Sequence, residues 1–290
     1  MSTSSRFDQF LLNIKLTSDQ LDDAKTKYDG VCKKIHDNYF STLYDGSTKL
    51  LIGSYGKGTN IRPARDVDVI FKLPSSEYKQ SSNGYNYQSY LLQKIKGILQ
   101  DKYPDSDIKG DGPVVVVNFS NDHFIEVVPA IELTNDKFYI PITTDGGHWK
   151  LDDPRALYKL VNDSDNDTGG NTRNLIRMIK KWQEFCDVPI KSLVIEIRAV
   201  VFLIAYEHKN KSSTYYDWMV RDYLKELIEK INNTYTLPGL TEKINYGDAW
   251  KSKAESAYAR AVKACEFEAI KDETSATEEW KKIFGDDFEY

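Results

Sequence analysis

Two aspartates, Asp66 and Asp68, stand one residue apart at the head of an apolar run through Val67, Val69, Ile70, Phe71 and Leu73. Side chains on a strand alternate faces, so a strand here turns both carboxylates to one side and Val67 and Val69 to the other. Carboxylates held that close repel, and each is expensive to bury without a partner. The pattern asks for a sheet with one face in the core and acids on the other, held together by a divalent cation. Hard oxygen donors suit Mg2+, which keeps several waters and completes its shell with substrate phosphate. Two such ions about 3.5–4 Å apart stabilise both the attacking and the leaving oxygen of an in-line phosphoryl displacement.

Such a site calls for a third carboxylate from a neighbouring strand. Glu126, in HFIEVVPAI, is the acid inside a strongly apolar strand downstream. Upstream, Gly53 and Ser54 sit where a short strand ends. Glycine lets a backbone approach phosphate closely, successive N–H groups form an anion nest, and the serine hydroxyl adds a donor. Gly56 and Gly58, with Thr59 beside them, keep the next turn tight.

The 290 residues can bury a sizeable core, and a net charge of -5 argues against a protein built to coat nucleic acid. Cys32, Cys186 and Cys265 lie far apart and show no zinc-ligand spacing, as expected of reduced thiols. The start lacks a basic-then-apolar signal pattern. The most apolar run, Leu193 to Tyr206, is too short to span a bilayer and carries Glu196 and Arg198. A soluble, cytoplasmic protein without membrane contact is expected.

Thr17 to Gln20 reads as a capping box opening a long helix that runs to about Tyr44. Strands are predicted at 49–52, 67–73, 114–119, 124–128 and 138–140, with an amphipathic helix through Leu91, Leu92, Ile95 and Leu99. The strands 114–119 and 124–128 form an expected hairpin. Val161 to Asn171 reads as a polar connection, and everything beyond as helix: 172–186, 192–207, 215–234, 248–270 and 275–284. In the first of these, Leu175, Ile179 and Trp182 make an apolar stripe with Lys180 and Lys181 as solvated charges on its flanks. His123 and His148 have no carboxylate or cysteine at useful spacing and are read as non-catalytic.

With these residues in place, GSYGKGTNIRPARDVDVIF resembles the signature of the DNA polymerase β-like nucleotidyltransferases, more narrowly the bacterial cGAS/DncV-like group that makes cyclic oligonucleotide signals. FIEVVPAI is similar to that group's third-carboxylate strand, with Glu126 where many relatives have Asp. GGHWKLDDP, LIRMIKKWQEF and IKSLVIEI resemble the same group in the same order, and EWKKIFGDDF weakly resembles a C-terminal signature of some relatives. The resemblance implies an α+β fold. A polymerase β-like core with a mixed sheet and a long N-terminal helix occupies residues 1–160, an all-helical domain residues 161–290, and the active site the cleft between them. It implies that Asp66, Asp68 and Glu126 are catalytic and hold two Mg2+ ions, for which Mn2+ can substitute. It also implies that Gly53, Ser54, Lys180 and Ser192 bind the nucleotide triphosphate.

The activity implied is a cyclic di- or trinucleotide synthase that joins NTPs, ATP or GTP foremost, with release of pyrophosphate. Its product would act on a separate effector in anti-phage defence of the CBASS type, with a regulatory protein as a further partner. No His and Cys cluster resembles the zinc insertion of animal cGAS, so neither zinc nor activation by nucleic acid is expected. Leu193 stands where some relatives stack an aromatic on a base. The alternatives are a template-independent RNA nucleotidyltransferase (CCA-adding, poly(A) or oligoadenylate-type), nucleotide transfer onto a protein partner, and a non-enzymatic nucleotide sensor.

Overall fold

The computed structural model describes residues 2–63, 66–82, 84–119, 123–237, 240 and 243–289. Ala64 and Arg65 of the aspartate motif, and Ser120, Asn121 and Asp122 of the expected hairpin loop, lie outside them. The chain divides into two compact units. One comprises Leu16–Gly58 and Pro63–Tyr158; the other comprises Met1–Lys15, Thr59–Arg62 and Lys159–Tyr290.

The N-terminus holds two helices where one was expected. Helix α1 (Thr3–Ile14) belongs to the second unit and buries Phe7, Phe10, Leu11 and Ile14, an i, i+3, i+4, i+7 stripe. Helix α2 (Ser18–Tyr39) starts at the predicted capping box, with Thr17 Oγ1 accepting from Gln20 N–H and Gln20 Oε1 accepting from Thr17 N–H. It stops short of Tyr44 because Phe40 turns extended and stacks its ring on His36.

The first unit is built on a mixed sheet. Strands β1 (Lys49–Leu51) and β2 (Val67–Lys72) flank the short helix α3 (Gly53–Lys57). After α4 (Tyr87–Gln100) come β3 (Asp107–Asp111), β4 (Val114–Phe119), β5 (His123–Glu132), β6 (Phe138–Ile142) and β7 (His148–Asp152). The order is β1-β2-β5-β4-β3, with β6 beside β5 and β7 beside β6. Among the described strand pairs of this sheet only β2 and β5 run parallel; β4 and β5 form the expected antiparallel pair. One face is covered by α2 and α4: Val67, Val69, Phe71, Val115, Val117, Ile125 and Val127 pack against Ala24, Val31, Ile35, Leu91, Ile95 and Leu99. Ile70, Val128, Ala130 and Phe138 form a separate small cluster. Strands β3 and β7 escaped the sequence reading because each alternates with little apolar content.

The segment Val161 to Asn171 is helical for most of its length, a correction to the polar connection expected there. Helix α5 (Pro154–Asp167) runs through it and buries Asp165, whose carboxylate accepts from the backbone N–H of Arg173 and pairs with its guanidinium. The second unit continues with α6 (Asn171–Phe185), α7 (Ser192–Ala205) and α8 (Tyr216–Ile228). Its last helices are α9 (Lys251–Ala269) and α10 (Glu273–Phe284). Between α8 and α9 the chain breaks from helix: Asn232 takes a φ of 59°, and β8 (Thr234–Thr236) pairs with β9 (Lys243–Asn245). Trp182, Trp250, Trp280, Tyr223, Phe284 and Phe288 fill the core with the α1 phenylalanines. All three cysteines are free thiols. No described helix is long and apolar enough to cross a membrane.

Candidate active site

Pairing of β2 with β5 places Asp68 directly opposite Glu126. Neighbouring strands lie about 4.8 Å apart and paired residues share a face, so these two acids are side by side. Their face is the one away from α2 and α4, because the flanking Val67, Val69, Ile125 and Val127 all point into the helix-covered core. His123 lies on that other face, buried, with Nδ1 3.2 Å from Asp23 Oδ2. It therefore has a carboxylate partner the spacing did not suggest, on the side opposite Asp68 and Glu126.

Asp66 lies outside the strand proper. The strand begins at Val67, and Asp66 is exposed just ahead of it. Its charge still reaches the pair. The Glu126 carboxyl is pushed up to about 7, first by burial and then by the charges of Asp68, Asp66 and Asp111. Asp111, at the end of β3, was not among the predicted residues. Its signal was confined to an alternation around one buried apolar residue, Ile108.

Gly53 opens α3 at a φ of 59°, in the left-handed region. A Cβ there would fall 2.6 Å from Asp68 Cγ, so the carboxylate packs against bare backbone. Ile52 N–H donates to Asp68 O at 3.0 Å, which ties the start of this turn to β2. Ser54 follows half-buried, and the helix ends at Gly58, left-handed with φ 64°. What the sequence suggested as a glycine-serine turn is thus the first turn of a very short helix beside Asp68.

Lys180 and Ser192 lie in the other unit. Lys180 is buried rather than solvated: Nζ donates to Glu196 Oε1 at 2.7 Å and to Thr59 Oγ1 at 3.1 Å. The Thr59 hydroxyl donates to the same Glu196 oxygen at 2.9 Å. Lys181 is buried as well, 2.8 Å from Glu184 and 2.6 Å from Asp287. Ser192 is exposed at the start of α7 and donates to Gln183 Oε1 at 3.0 Å.

The acids fit a divalent cation by chemistry. They are hard oxygen donors, and Glu126 is raised first by its burial and then by the neighbouring carboxylate charges. Among the described residues no three His, Cys, Asp or Glu side chains already converge closely enough to hold an ion.

Comparison with known proteins agrees with this architecture. Apo DncV from Vibrio cholerae matches with a TM-score of 0.77 at 14% identity, over 98% of this chain and 96% of that one. CdnC from Escherichia coli MS115-1, solved with ATP, matches at 0.67 and 16% identity over 99% of both chains. CdnG from Bradyrhizobium diazoefficiens, solved with GTP, matches at 0.71 and 11% identity over 99% and 96%. These likenesses establish the fold, an α+β architecture with a mixed sheet and a helical part, as in those proteins. A probable cyclic nucleotide synthase of Bacillus cereus (strain VD146) is 26% identical, over 99% of this chain and 98% of its own length. Residues 1–165, more than half the chain, match the model of the Second Messenger Oligonucleotide or Dinucleotide Synthetase domain, and the chain belongs to that family, SMODS.

Proposed function

We propose that this chain joins NTPs, with ATP, GTP or both as its substrates, into a cyclic di- or trinucleotide, releasing pyrophosphate at each step. As a SMODS member it is a nucleotidyltransferase, a cyclic oligonucleotide synthase of CBASS-type signalling. The reading of its site rests on one observation, the register that sets Asp68 beside Glu126 next to the Gly53–Ser54 turn.

Asp66, Asp68 and Glu126 would hold Mg2+, or Mn2+ in its place, as a pair of ions. When bound, these ions neutralise triphosphate charge and lower the pKa of the acceptor hydroxyl. Gly53 and Ser54 offer backbone N–H groups and a hydroxyl to the donor phosphates, and Lys180 and Ser192 complete the hold on the triphosphate. The ribose oxygen forms its bond to the α-phosphorus as the bond to the leaving pyrophosphate breaks. The chain contributes mainly position and charge stabilisation. A linear intermediate then rebinds with its ends exchanged and closes. The product acts on a separate effector in anti-phage defence.

Mass spectrometry of the products from the four NTPs with Mg2+, after phosphatase treatment, tests this. A phosphatase-resistant cyclic product is expected. A ladder of lengths would identify a template-independent polymerase, and label on a protein band a protein-modifying transferase; either overturns the proposal.

A further inference from the structure

We propose that Glu196 is a positioning residue that competes with nucleotide phosphate for Lys180 and thereby sets nucleotide affinity. The inference rests on the reading of Lys180 as a triphosphate ligand.

Three side chains from separate stretches meet at one oxygen. Glu196 Oε1, on α7, accepts from Lys180 Nζ of α6 at 2.7 Å and from Thr59 Oγ1 at 2.9 Å. All three residues are buried: Thr59 is 0% exposed, Glu196 1% and Lys180 7%. An ammonium already facing a carboxylate in a poorly solvated place has its charge answered. A phosphate then gains from that lysine only the difference between the new partner and the old one.

The arrangement is suited to exchange rather than to permanent pairing. Lysine is a point charge on a flexible stem, with three donors that can be redirected without matching a planar partner. When its ammonium turns to a phosphate oxygen, the Thr59 hydroxyl remains on Glu196 Oε1, so the carboxylate keeps a donor. Thr59 is also the residue after Gly58, which closes the helix opened by Gly53 and Ser54. The lysine thus shares a hydrogen bond with the chain segment that leaves the proposed phosphate cradle.

The test compares wild type with Glu196→Gln, Lys180→Met and the double variant. KM and kcat are measured for ATP with Mg2+, and Kd for a non-hydrolysable ATP analogue. Gln keeps the shape and an acceptor oxygen but removes the competing charge. Glu196→Gln is expected to lower KM and Kd about fivefold or more, with a smaller change in kcat. Lys180→Met is expected to raise both constants, and adding Glu196→Gln to it to change neither further. A merely structural ion pair would leave KM and Kd unmoved in Glu196→Gln while thermal stability falls. If Lys180→Met raises KM but Glu196→Gln leaves it unchanged or higher, the competition is overturned and the ligand reading of Lys180 stands. If Lys180→Met leaves both constants unchanged, the ligand reading itself falls and this inference with it. Should Glu196→Gln not fold, Glu196→Asp keeps the charge on a shorter arm. A smaller drop in KM is then expected, and an unchanged KM overturns the proposal.

Discussion

Asp68 and Glu126 stand in register across the parallel β2–β5 pair, two acids side by side on the sheet face opposite α2 and α4. Like charges directly opposed weaken a sheet, so the fold carries a cost there, which the proposed ion binding would offset. Asp68→Asn is expected to reduce turnover about a hundredfold or more, as loss of a charge-stabilising group does. Its melting temperature without metal should stay the same or rise. Mg2+ should raise the melting temperature of wild type by mass action and do so far less in the variant. Thermal denaturation with and without Mg2+, alongside turnover, checks all three outcomes.

The raised carboxyl of Glu126 gives the site a pH signature. Its ordinary value is 4.5, and burial followed by the charges of Asp68, Asp66 and Asp111 moves it to about 7. Between those values the folded protein binds more protons than the unfolded chain. Metal-free stability should therefore fall as pH rises from 4.5 through 7 and level off above. Cation binding needs the ionised form, so Mg2+ affinity should run the other way, climbing through pH 7 before levelling. Denaturation curves and Mg2+ titrations at pH 6 and pH 8 measure the two slopes. Glu126→Gln should flatten this residue's contribution to both.

Gly53 meets two demands at once. Its φ of 59° disfavours any side chain, and a Cβ would press into Asp68. Gly53→Ala is expected to cost about 1–2 kcal/mol from the backbone alone. It should cost more in activity than in stability, because the relief available is displacement of the Asp68 carboxylate. Comparing its urea midpoint with its turnover separates the two effects. Equal activity at lower stability would mean the Asp68 position does not matter to the reaction.

What could be read in advance followed from local rules. Alternation around Asp68 showed one strand and its buried face, the apolar run at 124–128 showed another, and Thr17 with Gln20 showed the start of α2, because periodicity and capping depend on near neighbours. The misreadings depended on distant partners. Asp165 makes α5 look like a polar connection until its bonds to Arg173 are seen. Lys180 looks solvated until Glu196 and Thr59 are placed around it. A hint was present: Glu196 and Arg198 lie inside an apolar helix, and buried charges there require partners. Arg198 finds its own in Glu226. The assignment of α1 to the second unit was likewise invisible, since its apolar stripe does not say which core receives it.

Arg6 shows how much that assignment matters to stability. It is 1% exposed on α1, pairs with Glu268 of α9, and donates to Thr277 Oγ1 at 2.9 Å and Glu273 O at 3.0 Å on α10. Glu268 in turn accepts from Thr3 Oγ1 at 2.7 Å. Phe7 and Phe10 beside it meet Trp280, Phe284 and Phe288 at ring-centroid distances of 4.6–5.3 Å. Arg6→Ala removes one partner of a buried pair and leaves the Glu268 carboxylate poorly compensated, so it should cost about 3–5 kcal/mol. Replacing both partners, as Arg6→Met with Glu268→Leu, should recover part of that loss, because no buried charge is then left alone. Urea denaturation of the single and double variants measures the difference. Additive losses would mean that the pair is not coupled and that α1 is held by its phenylalanines alone.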